Sequence, residues 1–133
     1  MQAARDYTGL ICWQKAMTLV EEVYRLTRHF PRDEAHGLRS QVRRAAVSIP
    51  SNIAEGQGRD SIPDFLRFLA ISRGSVQELQ TQILIAQRLN FIEPTQAIKA
   101  MELSHEVCRL VSALTKSLKN SQKHPRKPLT TDN

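Results

Sequence analysis

A chain of 133 residues with a net charge of +6 is long enough for one domain with its own hydrophobic core, without metal or disulfide cross-links. Apolar residues make up 41% and charged residues 24%, an ordinary globular balance, whereas aromatic residues reach only 5%. Five glycines and six prolines supply too little turn chemistry for a β-sandwich or barrel, so the composition favours helices.

The cysteines and the apolar runs indicate the cellular compartment of the protein. Cys12 and Cys108 are too few and too far apart to indicate a disulfide framework. The first residues lack the apolar core of a secretory signal, and no apolar run approaches the ~20 residues that a membrane helix needs. We therefore expect a cytoplasmic protein with no membrane partner.

The first two segments each carry a helical pattern. Over residues 10–30, apolar side chains recur at three- and four-residue steps, namely at Trp13, Met17, Val20, Tyr24, Thr27 and Phe30, with Leu19, Val23 and Leu26 widening the stripe. Over residues 34–56 the stripe is Leu38, Val42, Ala45, Ile49 and Ile53. Pro50 interrupts the second segment, which is either two helices or one kinked helix. The apolar spacing stays in phase across Pro50 and favours the kink.

The third and fourth segments follow a loop at residues 56–61. Ser61 has the character of a helix N-cap, with Pro63 and Asp64 in the first turn. The third segment, to about residue 89, repeats apolar or small residues in alternating steps of four and three, at Phe65, Leu69, Ser72, Val76, Leu79, Ile83 and Ala86. The fourth, residues 94–119, carries Ala97, Met101, Ser104, Cys108, Val111 and Leu118. Phe68, Ile71, Leu84 and Ile85 lie outside the third seam and indicate a second contact surface.

Together these patterns predict an all-α, antiparallel, up-down-up-down four-helix bundle, with helix two kinked near Pro50. We place the bundle in residues 1–121 and a disordered basic tail in residues 122–133. Positive charge is concentrated at the end of the chain, where residues 116–133 carry Lys116, Lys119, Lys123, Arg126 and Lys127 against one acidic residue. This arm is either a polyanion contact or a solubilising tail.

The sequence holds no convincing catalytic or metal-binding pattern. Glu102 and His105 form a single Glu-x-x-His pair beside Glu106, whereas di-metal bundles need two such pairs. Cys108 lies three residues from His105, but no third residue would orient the pair for nucleophilic catalysis. Gly56 and Gly58 follow a helix rather than a strand, which excludes a phosphate-binding loop. We therefore expect neither an enzyme, nor a metal, nor a cofactor.

The polar residues of helices two and three allow two interpretations. A structural network that fixes helix register would use Ser48, Asn52, Glu55 and Glu78, because buried polar groups require partners. A nucleic-acid surface would use Arg39, Arg43, Arg44, Arg59, Arg67 and Arg73 together with the basic tail. Arginine suits phosphate because its guanidinium donates in a bidentate fork, so contacts of this kind would be directed to the backbone and sensitive to salt.

Five sequence blocks carry a resemblance to a known family. They are WQKA at residues 13–16, QVRRAAVSIPSNIAEG at 41–56, FLRFL at 65–69, RGS at 73–75 and ELQTQ at 78–82. Over about residues 7–118 the chain resembles the four-helix-bundle proteins encoded in 23S ribosomal RNA intervening sequences, also labelled S23 ribosomal protein. The resemblance implies a protomer that assembles into a ring, expected to be a pentamer. It also implies distant kinship to the nucleic-acid-binding accessory protein of diversity-generating retroelements.

Two hypotheses for function follow. The first is a non-enzymatic homo-oligomer that associates with nucleic acid, RNA in particular or DNA, through its arginines and basic tail. The second is a scaffold that docks a partner protein and has no direct role with nucleic acid. A steep fall of nucleic-acid affinity with salt would favour the first, and a stoichiometric protein partner unaffected by nuclease would favour the second.

Overall fold

Four α-helices joined by short connections account for most of residues 6–123, the part of the chain that the computed structural model describes. In chain order they are α1 at Ile11–Thr27, α2 at Leu38–Gln57, α3 at Ile62–Arg88 and α4 at Pro94–Lys123. Short 3-10 turns at Tyr7–Gly9 and Arg32–Glu34 precede α1 and α2. No strand occurs between residues 6 and 123, and the predicted all-α class is confirmed.

Cross-helix contacts define the antiparallel arrangement. Lys15 on α1 pairs with Glu106 on α4 at 3.6 Å, whereas Glu22, two turns further along α1, pairs with Lys99, earlier on α4, at 3.8 Å. Each helix packs against two others, in the cyclic order α1, α2, α3, α4, and the diagonal pairs do not meet within the described residues. The fold is the predicted up-down-up-down bundle.

The helix that contains Pro50 is continuous. α2 runs through Pro50 without a break, so the sequence pattern describes one helix and not two. The hydroxyl of Ser72 on α3 donates to the carbonyl oxygen of Ile49 at 3.0 Å, and so α3 supplies a hydrogen bond beside the proline. Near its end α2 approaches α3 so closely that a Cβ added at Gly56 would lie 2.7 Å from the Cβ of Phe68.

The core follows the predicted seam of α3. Leu69, Val76, Leu79 and Ile83 are completely buried, together with Ser72 and Ala86. Facing them on α2 are the predicted Val42, Ala45, Ile49 and Ile53, of which Ala45 retains 5% exposure and the others none. The seven-residue repeat therefore marks the side of α3 that the bundle buries.

The predicted face of α1 is correct in part: Thr27 and Phe30 are buried, as are the flanking Leu19, Val23 and Leu26, whereas the rest of the stripe lies at the margin of the core. The buried residues of this helix are Cys12, Ala16, Leu19, Val23, Leu26 and Thr27. Of the predicted stripe, Met17 is 41% exposed and Tyr24 is 38% exposed, and Trp13 and Val20 are half-buried. Two apolar stripes lie side by side on α1, and the one with smaller side chains faces the core. The larger side chains lie on the flank beside α2, where Trp and Tyr can keep one edge in water.

The helix ends account for the other differences from the predicted boundaries. α1 ends at Thr27 and not near residue 30, because Phe30 precedes Pro31, which disfavours a helical conformation there. α2 begins at Leu38 and not at residue 34, since the Glu34 carboxylate accepts the Leu38 backbone N–H at 2.9 Å and caps the helix from outside.

α3 begins and ends as its sequence suggests. The Ser61 hydroxyl accepts the Asp64 N–H at 3.2 Å, which is the predicted N-cap. At the other end Asn90 adopts a left-handed conformation with φ of 63°, and the Phe91 N–H reaches back to the Ala86 carbonyl at 2.9 Å. This is a Schellman-type ending, which favours glycine or asparagine at the left-handed position.

α4 continues to Lys123, four residues beyond the predicted end of the fourth segment. The rest of the predicted basic tail, including Arg126 and Lys127, lies outside the described residues. Among the helices of residues 6–123, none combines the length and the apolar character needed to span a membrane.

Candidate nucleic-acid interface

Three of the predicted arginines converge where α1 and α2 diverge. Arg39, Arg43 and Arg44 line a cleft of about 420 Å³, which we call the arginine cleft; its other lining residues are Tyr24, Ala35, Ser40 and Val47. Arg39 and Arg43 are four residues apart on α2 and so project from one side of that helix. None of the residues that line the cleft is acidic, so its positive charge is not compensated from within.

Arg39 attaches α2 to the chain that follows α1. Its Nη2 donates to the carbonyl oxygens of Phe30 at 3.0 Å and Pro31 at 3.2 Å. Its Nε is buried and has no hydrogen-bond partner among residues 6–123. The guanidinium is therefore fixed through its Nη2 to the chain that follows α1, and its buried Nε is not accessible from the cleft.

Arg43 is held by the end of α1 in the same way. Its Nε donates to the hydroxyl of Thr27 at 2.7 Å and its Nη2 to the carbonyl of Tyr24 at 3.3 Å. The guanidinium carbon lies 4.3 Å from the centroid of the Tyr24 ring. The last carbonyls of α1 form the negative end of its dipole, which favours the cation of Arg43 there.

Arg44 is the least constrained of the three. It is exposed, and its hydrogen bond to Ser40 Oγ at 3.0 Å is the single one that it makes within the described part of the chain. Between residues 6 and 123, no carboxylate forms an ion pair with any arginine of the cleft. Arg44 is therefore the residue of the cleft most available to an external anion.

Two further predicted arginines meet at the opposite end of α2. Arg59 and Arg67 both lie over the ring of Phe68, with guanidinium carbons 4.9 and 4.5 Å from its centroid. Arg59 pairs with Glu55 at 2.9 Å, and Arg67 approaches Asp64 at 3.9 Å. These intramolecular carboxylates offset the positive charge, so this pair attracts anions less strongly than the arginine cleft.

The remaining predicted cations do not join either group directly. Arg73 is exposed on the outer side of α3. Lys116, Lys119 and Lys123 are exposed along the last turns of α4. Because α4 runs antiparallel to α3, these lysines lie at the same end of the bundle as Arg59 and Arg67.

The predicted polar network forms in part. Ser48 Oγ contacts Ser75 Oγ at 2.9 Å across the α2–α3 interface, and Asn52 Nδ2 donates to the carbonyl and hydroxyl of Ser48 at 2.8 and 2.9 Å. Neither glutamate hydrogen-bonds to this cluster within the described residues, although Glu78 lines a small surface pocket together with Ser48 and Arg44. Glu55 binds Arg59 at the surface, and Glu78 accepts from Gln82 at 3.3 Å. The cluster joins two helices and has the character of a structural element.

The residues considered for metal chemistry lie on the surface of α4, and the chain has a buried thiol on α1. Glu102, His105 and Glu106 line an open surface groove on α4, and residues 6–123 contain no group of three or more His, Cys, Asp or Glu suited to hold a metal. Burial raises the pKa of the Cys12 thiol, because desolvation penalises the thiolate. That thiol therefore stays protonated and unreactive near neutral pH.

Sequence reasoning missed the part that Tyr24 takes in the cleft. Its spacing with Met17 and Val20 suggested a core position, but it lies at the margin and carries Arg43 on its ring. The available signal was its amphipathic character, since a tyrosine at the edge of an apolar stripe tends to keep its hydroxyl end in water.

Comparison with known proteins agrees with this fold. The family model described as 23S rRNA-intervening sequence protein matches residues 8–113. No curated protein matches the chain. A solved structure from Bacteroides thetaiotaomicron, a protein with unknown function from the S23 ribosomal protein family, is similar with a TM-score of 0.74 at 20% identity, covering 80% of this chain and 99% of that one. The match to the family model spans most of the sequence, and the chain therefore belongs to the 23S rRNA-intervening sequence protein family.

Proposed function

We propose that this protein is a non-enzymatic, self-associating four-helix bundle that binds nucleic acid, RNA in particular, through the phosphates. The observation that carries the proposal is the arginine cleft, where Arg39, Arg43 and Arg44 converge without an acidic lining residue. Guanidinium groups bind phosphate oxygens in a bidentate fork, and a site with several of them attracts a polyanion more strongly than isolated surface charges do.

The cleft is preorganised for such a ligand. Arg39 is positioned by backbone carbonyls of the chain after α1 and Arg43 by a carbonyl in the last turn of α1, so part of the entropy of ordering their side chains is lost on folding and not on binding. Arg44 remains free to adjust to a phosphate. The net charge of +6 adds a long-range attraction that increases the association rate with any polyanion.

The bundle also carries apolar residues that one protomer leaves in water. On α3, Ile71 is 43% exposed and Ile85 is 41% exposed, and Leu89 is 54% exposed at the end of the helix. Ile71 and Ile85 are fourteen residues apart, about four turns, and therefore lie on the same side of α3. We propose that this side mediates self-association, into the five-membered ring that the family resemblance implies, and leaves the arginine cleft between α1 and α2 accessible.

Binding measurements at two salt concentrations test the nucleic-acid proposal. Fluorescence anisotropy with labelled structured RNA and with duplex DNA at about 50 and about 200 mM salt should show affinity that falls steeply with salt, because binding releases counterions from the phosphates. Absence of binding to both nucleic acids at the lower salt would exclude the proposal.

A pair of arginine variants localises the contact. Arg44→Ala should weaken binding and reduce the slope of log affinity against log salt by about one. The control is Arg109→Ala, which removes the same charge from an exposed position on α4, a helix that does not contact α2. Equal effects of the two substitutions would show that net charge, and not the arginine cleft, determines binding.

A further inference from the structure

A second groove continues the arginine cleft along the bundle. It has a volume of about 220 Å³ and is lined by Trp13, Met17, Val20, Val47, Pro50 and Ser51; we call it the apolar groove. Val47 lines both the apolar groove and the arginine cleft, so the two form one continuous surface between α1 and α2. No lining residue of the apolar groove carries a charge. One end of this surface thus carries three cations, and the other end is uncharged and mostly apolar.

Aromatic rings occupy both parts of this surface. Tyr24 is 38% exposed in the arginine cleft, with the Arg43 guanidinium 4.3 Å from its ring centroid. Trp13 lies eleven residues earlier on α1, about 16 Å along the helix, and holds its ring at 69° to that of Tyr7 with centroids 5.2 Å apart. Arg43 covers one face of the Tyr24 ring and Tyr7 packs against Trp13, so both rings are held in place while the side chain of Tyr24 keeps exposed surface for a flat ligand.

The chemistry that fits this surface is a nucleotide with an accessible base. Its phosphate would contact guanidinium groups, and its base would stack on an aromatic ring or lie on the apolar floor. In a duplex the base faces are covered by their neighbours, whereas an unpaired stretch presents them to aromatic side chains. A positively charged groove combined with aromatic rings is the arrangement by which proteins bind single strands with little sequence preference.

We infer that the surface formed by the arginine cleft and the apolar groove binds unpaired stretches of RNA, with phosphates at Arg39, Arg43 and Arg44 and bases against Tyr24 and in the groove of Trp13. This inference rests on the proposed function and specifies its ligand. Its distinguishing consequence is a preference for single-stranded over duplex RNA of the same length. Phosphate contacts alone would not favour the single strand, because a duplex of the same length carries twice as many phosphates at a higher charge density.

Trp13 provides a direct test because it is the single tryptophan of the chain. The probes are a 12-nucleotide RNA of mixed sequence and the same strand annealed to its complement, each titrated into the protein at about 50 mM salt. The single strand should bind at least about fivefold more tightly and should quench Trp13 emission along the same isotherm as its anisotropy. The duplex should bind without a comparable change in emission.

Substitutions at Tyr24 separate stacking from charge. Tyr24→Leu keeps an apolar side chain but removes the aromatic face, and the backbone carbonyl that holds Arg43 remains. It should reduce the ratio of single-strand to duplex affinity by about fivefold, to near one, which corresponds to the lower end of the range that stacking on one aromatic ring contributes. Tyr24→Phe keeps the ring and should restore the ratio. Circular dichroism melting of both variants checks that the fold is retained.

The outcomes distinguish this inference from the proposal on which it rests. Equal affinity for the two RNAs, with Arg44 still required and Trp13 emission unchanged, would overturn the inference and leave phosphate binding intact. Absence of binding to both RNAs would overturn the two together. An acidic amphipathic peptide that quenches Trp13 when RNA does not would assign the surface to a protein partner and also overturn the inference.

Discussion

Two adjacent arginines differ in how much of their hydrogen-bonding capacity the fold already uses. Arg43 lies toward α1, where it bonds to Thr27 and Tyr24, and Arg44 lies in solvent with Ser40 as its one hydrogen-bond partner within residues 6–123. The sequence predicts both as phosphate ligands, because composition and spacing do not reveal which donors the fold already uses. Only the position of the α1 carbonyls relative to α2 separates the two.

This difference predicts unequal effects on stability. Arg43→Ala removes a hydrogen bond to the buried Thr27 hydroxyl and an exposed one to the Tyr24 carbonyl, and should lower the free energy of unfolding by about 1–2 kcal/mol. Arg44→Ala should change it by less than about 0.5 kcal/mol, as is usual for an exposed residue. Urea unfolding of the two variants measures both values. A loss from Arg44→Ala as large as that from Arg43→Ala would contradict the assignment of roles.

At the scale of elements, α2 and α3 share the most extensive contact between helices within the described residues. Small residues at this interface, including Ser48, Ser75 and Gly56, allow the backbones to approach, and the Ser48–Ser75 hydrogen bond fixes their relative position. Because both helices pack so tightly here, α2 presents its arginines to α1 in a fixed orientation. The α2–α3 interface thereby helps to hold the arginines of the cleft in position.

Two glycines that look alike in sequence should respond in opposite ways to alanine. At Gly56 an added Cβ would lie 2.7 Å from Phe68 Cβ, so Gly56→Ala should destabilise the fold by about 1–3 kcal/mol despite the better helix propensity of alanine. At Gly74, inside α3, an added Cβ meets nothing within 4 Å. Gly74→Ala should therefore stabilise by about 0.5–1 kcal/mol. Thermal or urea unfolding of the two variants measures the change in stability. An increase in stability for Gly56→Ala would show that α2 and α3 can move apart at little energetic cost.

Sequence patterns predicted some elements better than others. The seam of α3 and its Ser61 cap were predictable, because a long heptad and a capping residue are local signals. The buried face of α1 was not, since two apolar stripes compete there and the choice depends on where α2 and α4 lie. The sequence identified the arginines of the cleft as candidate ligands. It could not show that they line one cleft, because the walls of the cleft come from two helices and the turn between them.

At the scale of the whole molecule, the exposed side of α3 leads to the prediction of assembly. Sedimentation at micromolar concentration should give a mass several times that of one subunit. Ile85→Lys should shift the protein toward single subunits, because burying an unpaired charge in an interface is costly. Ser117→Lys adds the same charge at an exposed position on α4 and should leave the assembly unchanged. A wild-type protein that sediments as single subunits would contradict self-association.

The crowding of Arg39, Arg43 and Arg44 also affects the energetics of the folded chain itself. Like charges held close together repel, and unfolding relieves that repulsion by letting them move apart. A polyanion that occupies the cleft removes the repulsion and at the same time bridges α1 and α2. By linkage, such a ligand raises the melting temperature of the protein whose surface it covers. The folded bundle would thus be most stable when its ligand is abundant, so that the lifetime of the folded protein would depend on the concentration of that ligand.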